Sequence, residues 1–230
     1  MRPVYIEATT LDDAWHQAVY NLFEYGYRYT IDQGSYQGSQ RVEFDFVTIR
    51  IKRPFDEPRL PVMPEGLELP SPATKEFVEQ YFQRYIMSNI KEPGEVYTYG
   101  SRLTNAEGVD QIEEVIRRYK TQGYNSNQLV LQVAHPSDLV LEDPPCLRHI
   151  DTRIRYEALH FFPYFRSWDL WSGFPANLAA LQMLKEYMAN EIGVEDGEMI
   201  VTSKGLHVYK HVEELAQMRF GKDFVKSSGG

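Results

Sequence analysis

The apolar positions near the amino terminus follow two spacings, first helical and then alternating. The positions on one side of a helix of 3.6 residues per turn are Leu11, Trp15, Val19, Leu22 and Phe23. Thr10 and Asp13 stand where a capping box would begin this segment, which predicts a helix from Leu11 to about Tyr25. Residues 42–51 then alternate between apolar and polar side chains and predict a strand.

Three further segments have a helical pattern. Residues 74–88 form an amphipathic stretch that ends before the Pro93-Gly94 turn. Asp110 to Lys120 reads as a second helix that stops at Gly123, and its inward positions are Ile112, Val115, Ile116 and Tyr119. Residues 177–190, rich in Ala, Leu and Met, give the strongest helical signal in the chain.

Strands are predicted at 128–134, 153–162 and 199–208. Helices therefore come early, and strands cluster around one central helix, which favours an α+β fold over a doubly wound βαβ array. A length of 230 residues fits one domain over residues 1–230. Residues 227–230, Ser-Ser-Gly-Gly, are expected to be a disordered tail.

Composition excludes several classes of protein. Hydrophobic residues at 43% argue against a disordered chain, and a net charge of −9 argues against binding to DNA or to anionic membranes. No apolar run approaches the roughly 18 residues of a membrane helix, and the first residues lack a signal peptide's apolar core. With a single cysteine there is no internal disulfide. We expect a cytoplasmic protein.

That cysteine, Cys146, follows Pro144-Pro145, and the two prolines restrict the backbone before it. A thiol with its ordinary pKa of about 8.5 is mostly protonated at neutral pH, and a cation such as Arg166 would lower that pKa. The pattern suggests a nucleophile. The alternative is a small buried hydrophobic residue, the common state of a free cysteine.

Five short segments carry a family resemblance: Tyr97–Gly100, Pro144–Cys146, Phe165–Asp169, Gly173–Ala179 and Leu206–Tyr209. In order and spacing, over roughly residues 108–215, the last four resemble the thymidylate synthase family, and Tyr97–Gly100 looks like that family's Tyr-Gly segment upstream. The resemblance implies a layered mixed sheet with helices around a long central helix, and a homodimer formed sheet to sheet.

The implied activity is transfer of a one-carbon unit from 5,10-methylenetetrahydrofolate, or a related reduced pterin, to C5 of a pyrimidine deoxynucleotide. By position, Cys146 would add to C6 of the ring in covalent catalysis, which makes C5 nucleophilic. Tyr99 belongs to the implied catalytic set. Glu79, with Glu76 as the second choice, would be the general base. No metal is implied.

The resemblance also implies substrate contacts. Arg166 would lower the thiol pKa and hold the nucleotide phosphate together with Ser167, although an ion pair between Arg166 and Asp169 is the plain alternative. Asp169 would orient the pterin. His207 and Tyr209, two apart on a strand and therefore on one side, would bind the deoxyribose 3′-hydroxyl. A metal pair of His207 and His211 is disfavoured, because no Cys or acidic cluster completes it.

Asn177 is the specificity position. Its carboxamide can accept from N3–H of a uracil and donate to O4, whereas a cytosine presents the reverse pattern. The resemblance therefore implies a uracil ring. An asparagine after Phe174-Pro175-Ala176 could equally be a helix N-cap.

Several positions depart from the family. Asn127-Gln128 stand where two adjacent arginines usually reach the phosphate across the dimer, and the first phosphate arginine falls near Gln33-Gly34, with Arg41 close by. Either another arginine substitutes or the substrate is not a plain 5′-monophosphate. The candidates for substitution are Arg148, Arg153 and Arg155.

Other departures bear on the product. Leu147 follows the nucleophile in place of histidine, and Gly205 replaces an aspartate before His207. No tryptophan occurs between Trp15 and Trp168 to shield a methylene intermediate, and residues 224–230 lack the family's apolar closing segment. These differences keep open a pyrimidine nucleotide hydroxymethylase or a binding protein that has lost synthesis.

Overall fold

The computed structural model describes residues 1–33, 36–66 and 69–221. The strands are β1 (Pro3–Ala8), β2 (Tyr27–Thr30), β3 (Gln40–Glu43), β4 (Phe46–Ile51), β5 (Val130–Gln132), β6 (Leu147–Arg155), β7 (Ala158–Phe165), β8 (Trp168–Asp169), β9 (Glu195–Ser203) and β10 (Leu206–Tyr209). The α-helices are α1 (Leu11–Tyr25), α2 (Lys75–Tyr81), α3 (Tyr99–Leu103), α4 (Gln111–Gln122), α5 (Gly173–Ile192) and α6 (Glu213–Phe220). The expected tail at 227–230 and the closing segment at 224–230 lie outside the described residues.

Two mixed sheets carry these strands. The six-stranded sheet has the order β1-β4-β9-β7-β6-β5, with β1 parallel to β4 and β7 parallel to β9. The four-stranded sheet has the order β2-β3-β10-β8. The chain passes directly from one sheet to the other, with no helix between, from β3 to β4, from β7 to β8 and from β9 to β10. The α+β class is confirmed.

Helix α5 lies at the centre of the core. It contacts α1, α2 and α4 as well as strands β7 and β9. Its apolar side chains are buried on most sides, which fits a helix enclosed by other elements. Leu178, Leu184 and Met188 are each 0% exposed. The opposite face of the six-stranded sheet is half-buried at most positions.

The first helix is confirmed from Leu11 to Tyr25, with Thr10 as its N-cap. The predicted strand at 42–51 is wrong as a single element, because β3 and β4 belong to different sheets. The chain turns between them where Phe44 donates its N–H to the carbonyl of Leu206 at 3.0 Å. The carboxylate of Asp45 accepts from the N–H of Arg2 at 2.6 Å. The alternation of apolar and polar side chains continues across residues 44–45, so the sequence pattern does not reveal the break between β3 and β4.

The strand predicted at 153–162 is a hairpin of β6 and β7. Its turn residues, Tyr156 and Glu157, have φ of 53° and 62°. A two-residue hairpin turn often needs positive φ at both central residues, and Asn-Gly or Asp-Gly is its usual signal. Tyr-Glu gives no such signal, so the sequence pattern predicts one strand where the end of β6 and the start of β7 flank a turn.

The strand predicted at 199–208 is also two strands, β9 and β10, in different sheets. Gly205 lies between them, where a Cβ would be 2.9 Å from the carbonyl oxygen of Arg166. This close approach of two backbones requires glycine. It brings β10 against the turn that follows β7.

The remaining helices were predicted with different bounds. The 74–88 segment is α2, capped by Thr74, followed by one π-helical turn at Phe82–Ile86. Helix α4 starts after its N-cap Asp110, and α5 starts at Gly173, four residues before the predicted start. The 128–134 strand is only Val130–Gln132. The sequence pattern missed β1, β2, α3 and α6. Within the described ranges, no helix combines the length and apolarity that crossing a bilayer requires.

Candidate active site

Cys146 lies immediately before β6, half-buried, with the buried Pro145 behind it. Its carbonyl accepts from the backbone N–H of Arg166 at 2.9 Å, since β6 and β7 are paired there. The hairpin therefore brings the predicted nucleophile and the predicted guanidinium together, although 20 positions separate them in sequence.

The guanidinium of Arg166 lies over the segment that precedes the thiol. Nε donates to the carbonyl of Pro145 at 3.2 Å, and Nη2 donates to the carbonyl of Pro144. Nη2 also lies 3.4 Å from the carboxylate of Asp143. The ion pair with Asp169 that sequence allowed is not formed. Arg166 instead fixes the two prolines that hold Cys146.

Burial raises the pKa of the Cys146 thiol, and this effect outweighs the charges of Arg166 and Arg148, which lower it. The carboxylate of Asp143 adds a smaller upward contribution. Arg166 lowers the thiol pKa as expected, but desolvation of a thiolate is the larger effect, so the thiol of the protein without ligand is less acidic than usual.

Four tyrosines surround the thiol. The hydroxyl of Tyr99 accepts from the N–H of Leu147 at 3.2 Å. Tyr85 meets Tyr99 edge to face, and Tyr81 stacks on Tyr85, each pair with ring centroids 5.1 Å apart. Burial raises the pKa of all three phenols and of Tyr97, and the nearby Cys146 adds to each rise.

Sequence reasoning identified Tyr99 but missed Tyr81 and Tyr85. Their spacing of four residues places both on one side of a helix, which was the available signal. Without the fold, a tyrosine pair on an amphipathic helix cannot be told from ordinary surface residues. We call Tyr81, Tyr85, Tyr97 and Tyr99 the tyrosine cluster.

Asn177 lies inside α5, on its second turn, so the N-cap alternative is wrong. Its Oδ1 accepts from the indole N–H of Trp168 at 2.8 Å, and its Nδ2 donates to the hydroxyl of Tyr81 at 2.9 Å. An indole can only donate, so this contact fixes which end of the amide is oxygen. One lone pair on Oδ1 and one N–H on Nδ2 remain for a ligand.

Asp169 takes the capping role at the start of α5. Its carboxylate accepts from the N–H groups of Trp171, Ser172 and Gly173 at 3.1 to 3.2 Å, and from the Ser172 hydroxyl at 2.6 Å. These donors are the free N–H groups of a helix start, where a negative charge is favourable. Asp169 also lines a cavity between α2 and α5 with Asn177.

His207 and Tyr209 lie on one side of β10, as predicted. The imidazole of His207 is only 3% exposed, and its Nδ1 lies 2.8 Å from the carbonyl of Gly205. Burial lowers the pKa of His207 to about 4. The ring is therefore neutral at pH 7, with its hydrogen on Nδ1, because a carbonyl only accepts. Nε2 is buried and unpaired among the described residues, so it is a bare acceptor.

Ser167 is half-buried beside Arg166 in the turn between β7 and β8, next to Gly205. Glu79 is exposed and lines a different cavity, with Arg59 and Met183, on the side of α2 opposite Tyr81. Glu76 is also exposed. The fold thus brings Ser167 to Arg166 but does not bring Glu79 to the thiol.

Asn127 and Gln128 are exposed, near the far end of β6. Asn127 accepts from Nη2 of Arg153 at 3.0 Å. Arg153 lies six positions along β6 from Leu147, which is about 20 Å for an extended strand. Within one chain, neither Asn127 nor Gln128 belongs to the cluster around Cys146. In the part of the chain that the structure describes, no three His, Cys, Asp or Glu residues are grouped to hold a metal.

The geometry agrees with comparisons to known proteins. A family model described as thymidylate synthase matches residues 74–223. The chain belongs to the thymidylate synthase family. A Methanosarcina mazei protein described as "Putative thymidylate synthase" is 33% identical over 213 residues, covering 92% of each chain. One from Methanosarcina acetivorans with the same description is 32% identical over the same coverage.

A thymidylate synthase from Listeria monocytogenes is 26% identical over 160 residues, which cover 64% of this chain and 51% of that protein. Membership of the thymidylate synthase family supports an enzyme of the transferase kind with a nucleotide substrate and a folate-type cofactor. The resemblance found in the five short segments is confirmed.

Proposed function

We propose that this thymidylate synthase family member transfers a one-carbon unit from a reduced folate to C5 of a uracil deoxynucleotide, through a covalent bond between Cys146 and C6. The observation that carries the proposal is the meeting of Cys146, the tyrosine cluster and the oriented amide of Asn177. These groups come from four separate parts of the chain. A series of contacts joins them: Asn177 donates to Tyr81, Tyr81 stacks on Tyr85, Tyr85 meets Tyr99, and Tyr99 accepts from the N–H of Leu147 beside the thiol.

The amide of Asn177 supports uracil as the base. With Oδ1 fixed toward Trp168, the spare lone pair can accept from N3–H, and the spare N–H of Nδ2 can donate to O4. Cytosine has an acceptor at N3 and an amino donor at C4. In the same position, its N3 would face the acceptor Oδ1 and its amino group would face the donor Nδ2, so neither hydrogen bond could form. Rotating the amide to suit cytosine would break the Trp168 contact.

The thiolate of Cys146 attacks C6, and the electron pair of the C5–C6 double bond moves toward O4 and makes C5 nucleophilic. The N–H of Asn177 that bonds O4 stabilises the charge there. C5 would then bond to the carbon unit and give its proton to a base, as the carbon unit is released from its carrier. Addition of a hydride supplied by the carrier (methyl product) or of water (hydroxymethyl product) to this carbon, with departure of the thiolate from C6, would restore the double bond and the free enzyme. Arg166 lowers the pKa of the Cys146 thiol and so stabilises the thiolate both before it attacks C6 and after it leaves C6.

The cavity between α2 and α5 suits 5,10-methylenetetrahydrofolate. It has a volume of about 390 Å³, and its lining includes the rings of Phe77 and Tyr81 beside Asp169 and Asn177. Aromatic faces suit a flat pterin, and the cavity reaches the base-reading amide. When bound, the folate supplies the one-carbon unit and, for a methyl product, the reducing equivalent. Phe77 and Tyr81 would hold its ring and exclude water from the reacting carbon.

We also propose that the protein is a homodimer formed through the six-stranded sheet. The face away from α5 presents half-buried apolar and aromatic side chains, among them Phe162, Tyr164 and Ile200, with the exposed Tyr5 at its edge. The registers of β4, β7 and β9 place these side chains on one continuous surface. A second copy could bury this surface, as the family resemblance implies.

The decisive test is trapping with 5-fluorodeoxyuridylate. Incubation with this nucleotide and methylenetetrahydrofolate should leave a covalent adduct on Cys146, found by intact-protein and peptide mass spectrometry. The Cys146→Ser variant should give no adduct and no turnover. Turnover by that variant would show that another group is the nucleophile.

The same reaction with deoxyuridylate separates the two enzyme products. The missing indole favours a hydroxymethylase, because water can then capture the exocyclic carbon. The cavity between α2 and α5 supports methyl transfer, since Phe77 and Tyr81 would exclude water from the reacting carbon there. Mass analysis of the released nucleotide distinguishes them. A protein that binds deoxyuridylate but forms neither product would have lost synthesis.

A further inference from the structure

The four-stranded sheet has a polar face that the sequence revealed only in part. The strand registers place Tyr209 beside Arg41 and His207 beside Glu43. Asp169 flanks His207 on the other side. Side chains at alternate strand positions share a face, so β3 contributes a charged pair directly next to the two residues expected to bind the sugar.

Arg41 is held rigidly on this face. Its Nη2 lies 3.0 Å from a carboxylate oxygen of Glu43, and its Nε donates to the hydroxyl of Tyr29 on β2. The Arg41 side chain is 20% exposed and that of Glu43 is 17% exposed. Its Nη1 makes no hydrogen bond within the described ranges. Because Nε and Nη2 already hold the Arg41 guanidinium in place, its Nη1 side can bind an anion with little further loss of side-chain freedom.

A second observation indicates that a ligand binds here. Nε2 of His207 is buried without a partner among the described residues, which is costly unless something fills the position. Arg41 lies opposite Tyr209 on the paired strand, two positions from the residue opposite His207, and its charge lowers the pKa of both. The unpaired acceptor and the cation are therefore side by side on this sheet.

The other candidate cations lie beside the thiol or far from it. Arg166 binds the carbonyls before Cys146, and Arg148 binds the carbonyl of Pro145 at 3.2 Å and lies 3.7 Å from Asp138. Within one chain, Arg153 is about 20 Å from the start of β6, further than the base and phosphate of one nucleotide are apart. Arg155 lies further still. Among these arginines, Arg41 is the one beside the expected sugar contacts.

We propose that Arg41 binds the 5′-phosphate of the nucleotide, in place of the arginines that this chain lacks. The inference rests on the proposed function, because it takes a nucleotide as the ligand. The unused edge of the guanidinium meets two phosphate oxygens, while Tyr29 and Glu43 hold the other edge. Burial raises the pKa of Glu43, and the charge of Arg41 opposes this rise.

The test compares affinity for deoxyuridylate with affinity for deoxyuridine, by calorimetry on the whole protein without folate. The wild type should prefer the phosphorylated ligand. The Arg41→Met variant should lose about 10- to 100-fold in affinity for deoxyuridylate, the size of a charge-assisted contact, with affinity for deoxyuridine unchanged. The Arg41→Lys variant, which keeps the charge but not the fork, should fall between them and serves if Arg41→Met does not fold.

The Arg117→Met variant is the matched control, since it removes an exposed arginine of α4 that pairs with Glu114. It should keep the full preference for deoxyuridylate. Retention of the preference in both Arg41 variants, or its loss in Arg117→Met instead, would overturn the proposal. So would a wild type that binds the two ligands equally. Because binding is measured without turnover, a protein that binds deoxyuridylate through Arg41 but forms no product contradicts the proposed function alone.

Discussion

The indole N–H of Trp168 donates to Oδ1 of Asn177 at 2.8 Å and so fixes the direction of the amide. Trp168 comes from β8, and Asn177 comes from the second turn of α5, which puts the donor and the amide on separate elements. The ring of Trp168 is itself held flat against Phe165, with centroids 3.9 Å apart. In the proposed function, discrimination between pyrimidines would therefore depend on a residue that need not touch the substrate.

Replacing Trp168 with phenylalanine should weaken base discrimination. The ring stacking on Phe165 is kept, but Asn177 loses the donor that holds its oxygen in place, and its amide can rotate. We expect the ratio of kcat/KM for deoxyuridylate over deoxycytidylate to fall by up to about tenfold, the worth of one neutral hydrogen bond. The Trp171→Phe variant, whose indole packs on Trp15 instead, is the control and should keep the ratio. An unchanged ratio in Trp168→Phe would contradict this role.

Replacing Tyr99 with phenylalanine should destabilise the protein. The N–H of Leu147 is buried and would lose its acceptor, which costs about 1–3 kcal/mol. Urea denaturation should show this loss in the free energy of unfolding. The matched Tyr97→Phe variant removes a hydroxyl whose 3.3 Å contact with the carbonyl of Asp143 is solvent-exposed, so its loss should be smaller. Equal losses in the two variants would argue against a buried role for the Tyr99 hydroxyl.

The thiol should titrate above its ordinary pKa in the protein without ligand. Since Cys146 is the only cysteine, the rate of alkylation by iodoacetamide against pH reports its thiolate fraction directly. The Asp143→Asn variant removes a carboxylate that raises the pKa, so its profile should move to lower pH. The Arg166→Met variant removes a cation that lowers the pKa, so its profile should move to higher pH. Shifts in the reverse directions would refute the electrostatic assignment.

Lys185 should make the stability of the protein depend on pH in the alkaline range. The side chain is 0% exposed, its ammonium lies 2.8 Å from Asp196, and burial lowers its pKa to about 8. An unfolded lysine keeps its proton to about pH 10.4, so between these values the unfolded state binds more protons and stability rises with pH.

The Lys185→Met variant checks this contribution. The free energy of unfolding of the wild type, relative to the variant, should increase by up to about 3 kcal/mol between pH 7 and pH 10.5. The comparison removes the effect of tyrosines and of Cys146, which both proteins share. A difference that stays constant with pH would mean that Lys185 has an ordinary pKa.

The sequence by itself determined the parts of this protein that depend on local spacing. Helices α1 and α4 and their caps follow from apolar period and capping residues, and the order of the short motifs identified the family. Cys146, Asn177, His207 and Tyr209 were chosen as candidates on the same grounds. Local pattern was sufficient because each of these features lies within a few residues of chain.

Only the tertiary structure decided which groups meet. The sequence could not show that Tyr81 faces Asn177 while Glu79 faces away, or that β3 places Arg41 beside Tyr209. Nor could it show that burial, rather than Arg166, dominates the pKa of the thiol. These outcomes depend on strand register and on desolvation, which arise only when distant segments pack together and exclude water.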